Sequence, residues 1–285
     1  MGKVEWAIQQ DGATETSLSK LRRMHRRLAT LFVLISVANF LAARADTPAG
    51  PVYDVVFIGD SITMGAGVPD RATQAAPVIA GQELQKLLGG TAAVYISNQG
   101  QNGHTTVNFL PGGGDFAGVE AGAKQLEADH PGQLVFSIML GTNDCSSNGV
   151  TTGSPVSAAN YAQNLQQIID KLLTEFPDSK FVINHSIWFS PNTHNAADYT
   201  GSVAADRLKS YFPAVDSLIA GYASSHPHHV FLGDTNAYDY FSIHFQAELN
   251  GENGTYGTFF LHPNPTGAQS LGKFWAAAIA KVLKQ

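Results

Sequence analysis

The chain has 285 residues, 44% of them hydrophobic, and a formal net charge of −6 at pH 7. That is enough apolar material for one large core without a second domain, and an acidic chain with no basic stripe in its body excludes nucleic acid as the expected partner. A single cysteine, Cys145, rules out an intramolecular disulfide and a cysteine-based metal site.

Residues 1–23 are polar and aperiodic and are expected to be a disordered extension or an upstream translation artefact. Lys20, Arg22, Arg23, Arg26 and Arg27 then precede an apolar run over 28–43, and Ala43-Arg44-Ala45 has the small-x-small form of a signal-peptidase site. Residues 24–45 therefore read as a signal peptide beginning at Met24, 46–52 as a linker and 53–285 as the folded domain. The apolar run is shorter than the ~20 residues of a spanning helix and contains Asn39, so cleavage is favoured over a membrane anchor. Contact with a membrane is expected only if 28–43 stays uncleaved. Secretion or a bacterial periplasm is the implied location.

The run Val55-Val56-Phe57-Ile58 is apolar without alternation, as in a strand buried on both faces. It stops at Gly59-Asp60-Ser61, which leaves Ser61 at the strand's carboxyl end, where ligands sit in open α/β sheets. A serine there can be a nucleophile or an N-cap. A helix is predicted over 73–88, a second strand over 92–96, and then a polar loop over 97–106 that contains Gly103. A helix over 116–128 leads to a third strand over 133–140, ending at Gly141-Thr142-Asn143-Asp144-Cys145. An amphipathic helix over 157–176 follows, then a strand over 180–184, a helix over 204–224, a strand over 229–232 and a last helix over 265–283. That helix is entered through Leu261-His262-Pro263-Asn264. Long connections are expected over 144–156, 185–203 and 250–260. Strand and helix alternate throughout, which implies an α/β fold with a central parallel sheet of about five strands covered on both faces.

Four polar segments thus converge on one edge of the sheet. Taken singly, Gly103 can be a turn residue, Asn143 a cap and His262 a helix-entry residue. In order and context, however, Gly59-Asp60-Ser61-Ile62, the segment Asn98 to Gly103, Gly141-Thr142-Asn143-Asp144 and His262-Pro263-Asn264 resemble the four blocks of the SGNH (GDSL-type) hydrolases over roughly residues 53–284. The resemblance implies a flavodoxin-like three-layer α/β/α sandwich and a carboxylic ester hydrolase that needs no cofactor or metal. It implies Ser61 as nucleophile and His262 as general base. Ser61, Gly103 and Asn143 would form the oxyanion hole, the first two through backbone N–H groups and the third through its amide. The chemistry agrees, because acyl transfer needs an activated nucleophile, a base near neutrality and donors aimed at the developing oxyanion.

One position departs from the pattern. The family's triad acid stands three residues before the histidine, where this chain has Phe259. Either a backbone carbonyl from 258–260 holds the His262 ring, giving a dyad, or a carboxylate arrives from elsewhere, with Asp234, Asp239, Glu248 and Glu252 as candidates by proximity. The carbonyl is preferred, and the acid is left unassigned.

For the substrate, Trp188, Phe189, Tyr199 and Tyr211 with Asn192 and His194, and Tyr238, Tyr240, Phe241 and His244, offer aromatics for stacking on sugars or are packed core. Segments such as Ser190-Pro191-Asn192-Thr193-His194 look like those of secreted carbohydrate deacetylases, which suggests release of short acyl groups, acetyl above all, from small-molecule or glycan esters. A lipid-directed esterase of the lysophospholipase or lipase type, and a non-catalytic glycan-binding protein on the same fold, are the alternatives. His226, His228 and His229 read as a solvated turn and not as metal ligands.

Overall fold

The computed structural model describes residues 50–151 and 153–285; the expectations for residues 1–23, the 24–45 signal peptide and most of the 46–52 linker lie outside the described residues. Strand β1 (Val52–Gly59) leads into a one-turn helix α1 (Ser61–Met64), then α2 (Arg71–Gln74) and α3 (Ala76–Leu87). Strand β2 (Ala93–Gly100), helix α4 (Gly114–Asp129), strand β3 (Gln133–Met139), helix α5 (Ala158–Glu175) and strand β4 (Lys180–Ile183) follow. Helix α6 (Gly201–Ser225), strand β5 (Val230–Leu232) and helix α7 (Ala237–Glu248) come next; β6 (Leu249–Gly254), β7 (Gly257–Pro263) and α8 (Pro265–Leu283) complete the order.

The first five strands form one sheet in the order β2-β1-β3-β4-β5, and each neighbouring pair is parallel. This is the flavodoxin-like order, and the direction in which successive strands are added across the sheet reverses between β1 and β3, the point at which such sheets open a crevice beyond the strand ends. Alternate side chains of the central strands feed two cores. Val55, Phe57, Val135 and Met139 pack with Ala80 and Leu84 of α3 and Trp275 and Ile279 of α8. Val56, Ile58, Phe136 and Ile138 pack with Phe116 and Val119 of α4 and Leu165 and Ile169 of α5. Burial on both faces is why β1 reads as continuous apolar sequence, and it produces the expected three layers.

The structure corrects three expectations. The predicted 73–88 helix is two helices broken at Ala75, which is extended (φ −63°, ψ 145°), because Pro77 has no N–H to give and its ring would strike the carbonyl one turn earlier. Strand β2 runs on through Ser97, Asn98 and Gln99 to Gly100, since an edge strand tolerates polar side chains that a central one would not. The 250–260 segment is no loop: β6 and β7 form an antiparallel hairpin, preceded by α7, which was not expected either. Gly251, Gly254 and Gly257 give the hairpin a turn-like composition that masks its strands.

Asp54 of β1 is fully buried, and neither of its carboxylate oxygens meets a donor among the described residues. Burial first, and the negative charge of Glu127 second, push it up to about 7. A carboxyl whose pKa is raised by folding stabilises the fold relatively at low pH, and that contribution is lost as pH climbs from the ordinary carboxylate range to about 7. Asp54→Asn is therefore expected to gain about 2 kcal/mol at pH 8, after allowance for solvent screening, and to gain almost nothing at pH 4. Thermal melts of both proteins at the two pH values check this; an equal shift at both would refute it.

Candidate active site

β1 delivers its last residues into a sharp turn. Gly59 is required there, since a Cβ would overlap the Thr63 side chain and the Met139 carbonyl. Asp60 caps α1, its Oδ1 accepting from the Ile62 N–H at 2.9 Å, and Gly65 closes the turn in a left-handed conformation (φ 85°). Ser61 is thereby pinned as the first helical residue. Its backbone N–H has no intrahelical acceptor, and its side chain faces a cleft of about 200 Å³. Asp60 itself is buried behind the serine, and burial raises it to about 6 against the opposing Ile62 hydrogen bond.

His262 arrives on β7. Its Nε2 lies 2.9 Å from Ser61 Oγ, and its Nδ1 lies 2.8 Å from Glu252 Oε1. The same carboxylate oxygen accepts from the His262 backbone N–H at 3.2 Å. The expected backbone carbonyl is not what holds the ring: a carboxylate does. Phe259, buried to 1% exposure in the core, pairs across the hairpin with Glu252. The acid thus stands on the strand opposite the residue that lacks it. Regular pairing would put His262 on the other face from Glu252. Between the Gly251↔Phe260 and Leu249↔Pro263 pairs, however, β7 carries one residue more than β6. A bulge of this kind re-aims a side chain, and here it turns His262 towards Glu252. Asn250, opposite the bulge on β6, donates from Nδ2 to the Gly67 carbonyl at 2.8 Å and to the His262 carbonyl at 3.3 Å, tying the serine's loop to the histidine's strand.

The loops after β2 and β3 bring Gly103 and Asn143 to the same cleft. Gly103 is left-handed (φ 75°), and a Cβ there would run into Val150. Its N–H meets no acceptor among the described residues, while its carbonyl accepts from Thr151 Oγ1 at 2.7 Å. Asn143 reaches across to the same loop, its Nδ2 donating to the His104 carbonyl at 3.0 Å, and Tyr199 Oη donates to its Oδ1 at 2.6 Å. A second tie lies beneath: the Asp144 carboxylate accepts from the Thr106 N–H at 3.0 Å and from the Thr106 hydroxyl. Asp144 is buried, which raises it to about 6 although the Thr106 hydrogen bonds oppose the shift. His104 pairs with Asp115 of α4, fixing the far side of the loop.

Ser61, Gly103, Asn143 and His262 therefore all line one cleft, together with Asn102, Val150, Asn195, Ala196, Ala197, Tyr199 and Leu261. Larger depressions of about 400 and 370 Å³ open elsewhere on the surface, one beside His226 and His229 and the other beside Glu127 and Glu175. In both, the lining hydroxyl is turned to the main chain and not to a base: Thr174 Oγ1 donates to the Asp170 carbonyl and Ser179 Oγ to the Phe176 carbonyl. Of the aromatics proposed for sugar stacking, Tyr211, Phe189 and Phe241 are core, and Tyr199 alone of the set lines the cleft. Asn192 and His194 instead brace the hairpin, through Asn192 Nδ2 to the Thr258 carbonyl at 2.8 Å and the His194 ring to the Thr255 hydroxyl at 2.6 Å. Sequence reasoning had no means of choosing Glu252 from four acids: even with 249–263 taken as a hairpin about Thr255-Tyr256, regular pairing sets Glu252 opposite Phe259, and only the bulge brings it to His262.

A model of the GDSL-like lipase/acylhydrolase family matches residues 57–269, a span that takes in all the cleft residues named above. The chain belongs to that family. This GDSL-family member is a carboxylic ester hydrolase, and its fold recurs in solved structures. Est24, a carbohydrate acetylesterase from Sinorhizobium meliloti, is 17% identical over 81% of this chain and 99% of its own, with a TM-score of 0.51. A carbohydrate esterase family 2 enzyme with its carbohydrate-binding domain, from Corynascus thermopiles (Myceliophthora fergusii), is 18% identical over 84% and 69%, with a TM-score of 0.51. The aryl esterase of M. smegmatis is 16% identical over 81% and 98%, with a TM-score of 0.51. At such identities the likeness is one of fold. Comparison with curated proteins returned no match.

Proposed function

We propose that this esterase works through a Ser61–His262–Glu252 triad and releases short acyl groups, acetyl above all, from carbohydrate esters. The observation that carries the proposal is the continuous relay from Ser61 Oγ through His262 to Glu252, with links of 2.9 and 2.8 Å, opening into the cleft that Gly103 and Asn143 share.

Ser61 Oγ attacks the ester carbonyl while His262 Nε2 takes its proton. Glu252 holds the Nδ1–H tautomer and offsets the charge of the imidazolium. The carbonyl oxygen, now negative, is received by the Ser61 and Gly103 N–H groups and the Asn143 amide. His262 returns the proton to the departing alcohol, leaving an acyl-Ser61, and water repeats the sequence to free the acid.

The size of the cleft supports a short acyl group. Its walls mix Val150, Ala196, Ala197 and Leu261 with the amides of Asn102 and Asn195, so no unbroken apolar wall is offered to a long chain, while the amides suit sugar hydroxyls. Two of the structural relatives are described as carbohydrate esterases, which supports the same alcohol. Initial rates on 4-nitrophenyl acetate, butyrate and octanoate test the acyl part: kcat/KM is expected to fall at least about tenfold from acetate to octanoate, the scale of a lost fit of about 1.4 kcal/mol. Acetate release from peracetylated sugars tests the alcohol. A preference for octanoate would move the assignment to lipid esters.

A further inference from the structure

We infer that Tyr199 is a positioning residue for Asn143, setting the side-chain amide so that one of its N–H groups is reserved for the reacting carbonyl oxygen. This rests on the oxyanion role proposed for Asn143.

A primary amide has two N–H donors and one oxygen acceptor. One N–H of Asn143 is taken by the His104 carbonyl at 3.0 Å, which has no hydrogen to give and so forbids the flipped amide, whose oxygen would face it. The amide oxygen accepts from Tyr199 Oη at 2.6 Å. The remaining N–H has no acceptor among the described residues, and Asn143 borders the cleft beside Ser61. With two of its three hydrogen-bonding positions held from opposite sides, the amide cannot rotate. A hydrogen bond at its oxygen also draws electron density from nitrogen, making the free N–H a better donor.

Tyr199 is itself fixed. It is 2% exposed, its ring packs on Phe189 with centroids 5.3 Å apart, and its N–H donates to the Thr193 carbonyl at 3.1 Å. Burial pushes its phenol above the usual tyrosine range, so it remains a donor across any working pH. It belongs to the loop whose Asn195, Ala196 and Ala197 wall the cleft, so the loop that shapes the substrate pocket also aims the oxyanion donor.

The test compares wild type, Tyr199→Phe, Asn143→Ala and the double variant on 4-nitrophenyl acetate. Tyr199→Phe removes one hydroxyl and leaves the ring against Phe189, so no cavity opens and a folded protein is expected. Its kcat should fall about tenfold, the scale of one hydrogen bond, with KM within about twofold. Asn143→Ala should lose about 10²–10³-fold in kcat, as for a lost oxyanion donor. The double variant should then equal Asn143→Ala within about twofold, because the hydroxyl has nothing left to aim. The Ki of phenylboronic acid, whose tetrahedral adduct on Ser61 puts an oxygen among the same donors, should rise with the loss of kcat in Tyr199→Phe. An unchanged kcat in Tyr199→Phe, or a further tenfold loss in the double variant, overturns the inference while leaving Asn143 its role. A loss under about threefold in Asn143→Ala would overturn the oxyanion assignment and this inference with it.

Discussion

Ser61→Ala is expected to lower kcat on 4-nitrophenyl acetate by about 10⁵-fold, or about 7 kcal/mol of transition-state stabilisation. The substitution removes the only hydroxyl that hydrogen-bonds His262 Nε2 among the described residues and leaves the backbone undisturbed. Asp60 still caps α1 through the Ile62 N–H, and the Ser61 N–H belongs to the main chain, so the oxyanion donors survive. About 10³-fold acceleration over water should therefore remain, with KM little changed, because donors and cleft still bind the ester. Rates measured beside thermal melts check it. A loss under about tenfold with an unchanged melting temperature would mean that another group performs the attack.

Glu252→Ala is expected to cost about 10³–10⁴-fold in kcat, as for a triad that loses its carboxylate. The His262 ring then has no acceptor at Nδ1, so its tautomer and orientation are free and the imidazolium forms without a countercharge. Glu252→Gln should be milder by about tenfold, for a reason particular to this site. The Glu252 oxygen that meets Nδ1 also accepts from the His262 backbone N–H, and that N–H selects the oxygen end of a glutamine. The correct tautomer is kept and only the charge is lost. Asp239→Asn and Glu248→Gln serve as controls and should stay within about threefold of wild type, since Asp239 lies in the first turn of α7 and Glu248 is engaged by Tyr240 Oη. Loss of activity at Glu248 with none at Glu252 would send the search for the acid elsewhere. A loss below tenfold in Glu252→Ala would restore a Ser–His dyad.

What could be read without coordinates was local. Val55 to Ile58 announce a strand buried on both faces because the two cores claim alternate side chains. The turns after β1, β2 and β3 each carry one of the cleft residues within a few positions of the strand end. A parallel sheet gathers those ends at one edge whatever the loops do, so Ser61, Gly103 and Asn143 could be placed together from order alone. His262 followed because it enters the last helix beside its cap, Asn264.

Tertiary structure decided the partners within the site, through pairings between segments that no local pattern encodes. Glu252 becomes the partner of His262 only when a glycine-rich stretch closes as a hairpin and β7 takes an extra residue. Without that bulge the two side chains would stand on opposite faces. Tyr199 meets Asn143 across 56 positions of sequence, and in the sequence it was one loop aromatic among several. The break before α3 follows from Pro77, a local cause that helical periodicity concealed. Periodicity and turn chemistry act over a few residues and are written in the chain; hydrogen bonds between distant loops depend on how the packed sheet presents those loops, and only the folded protein contains that information.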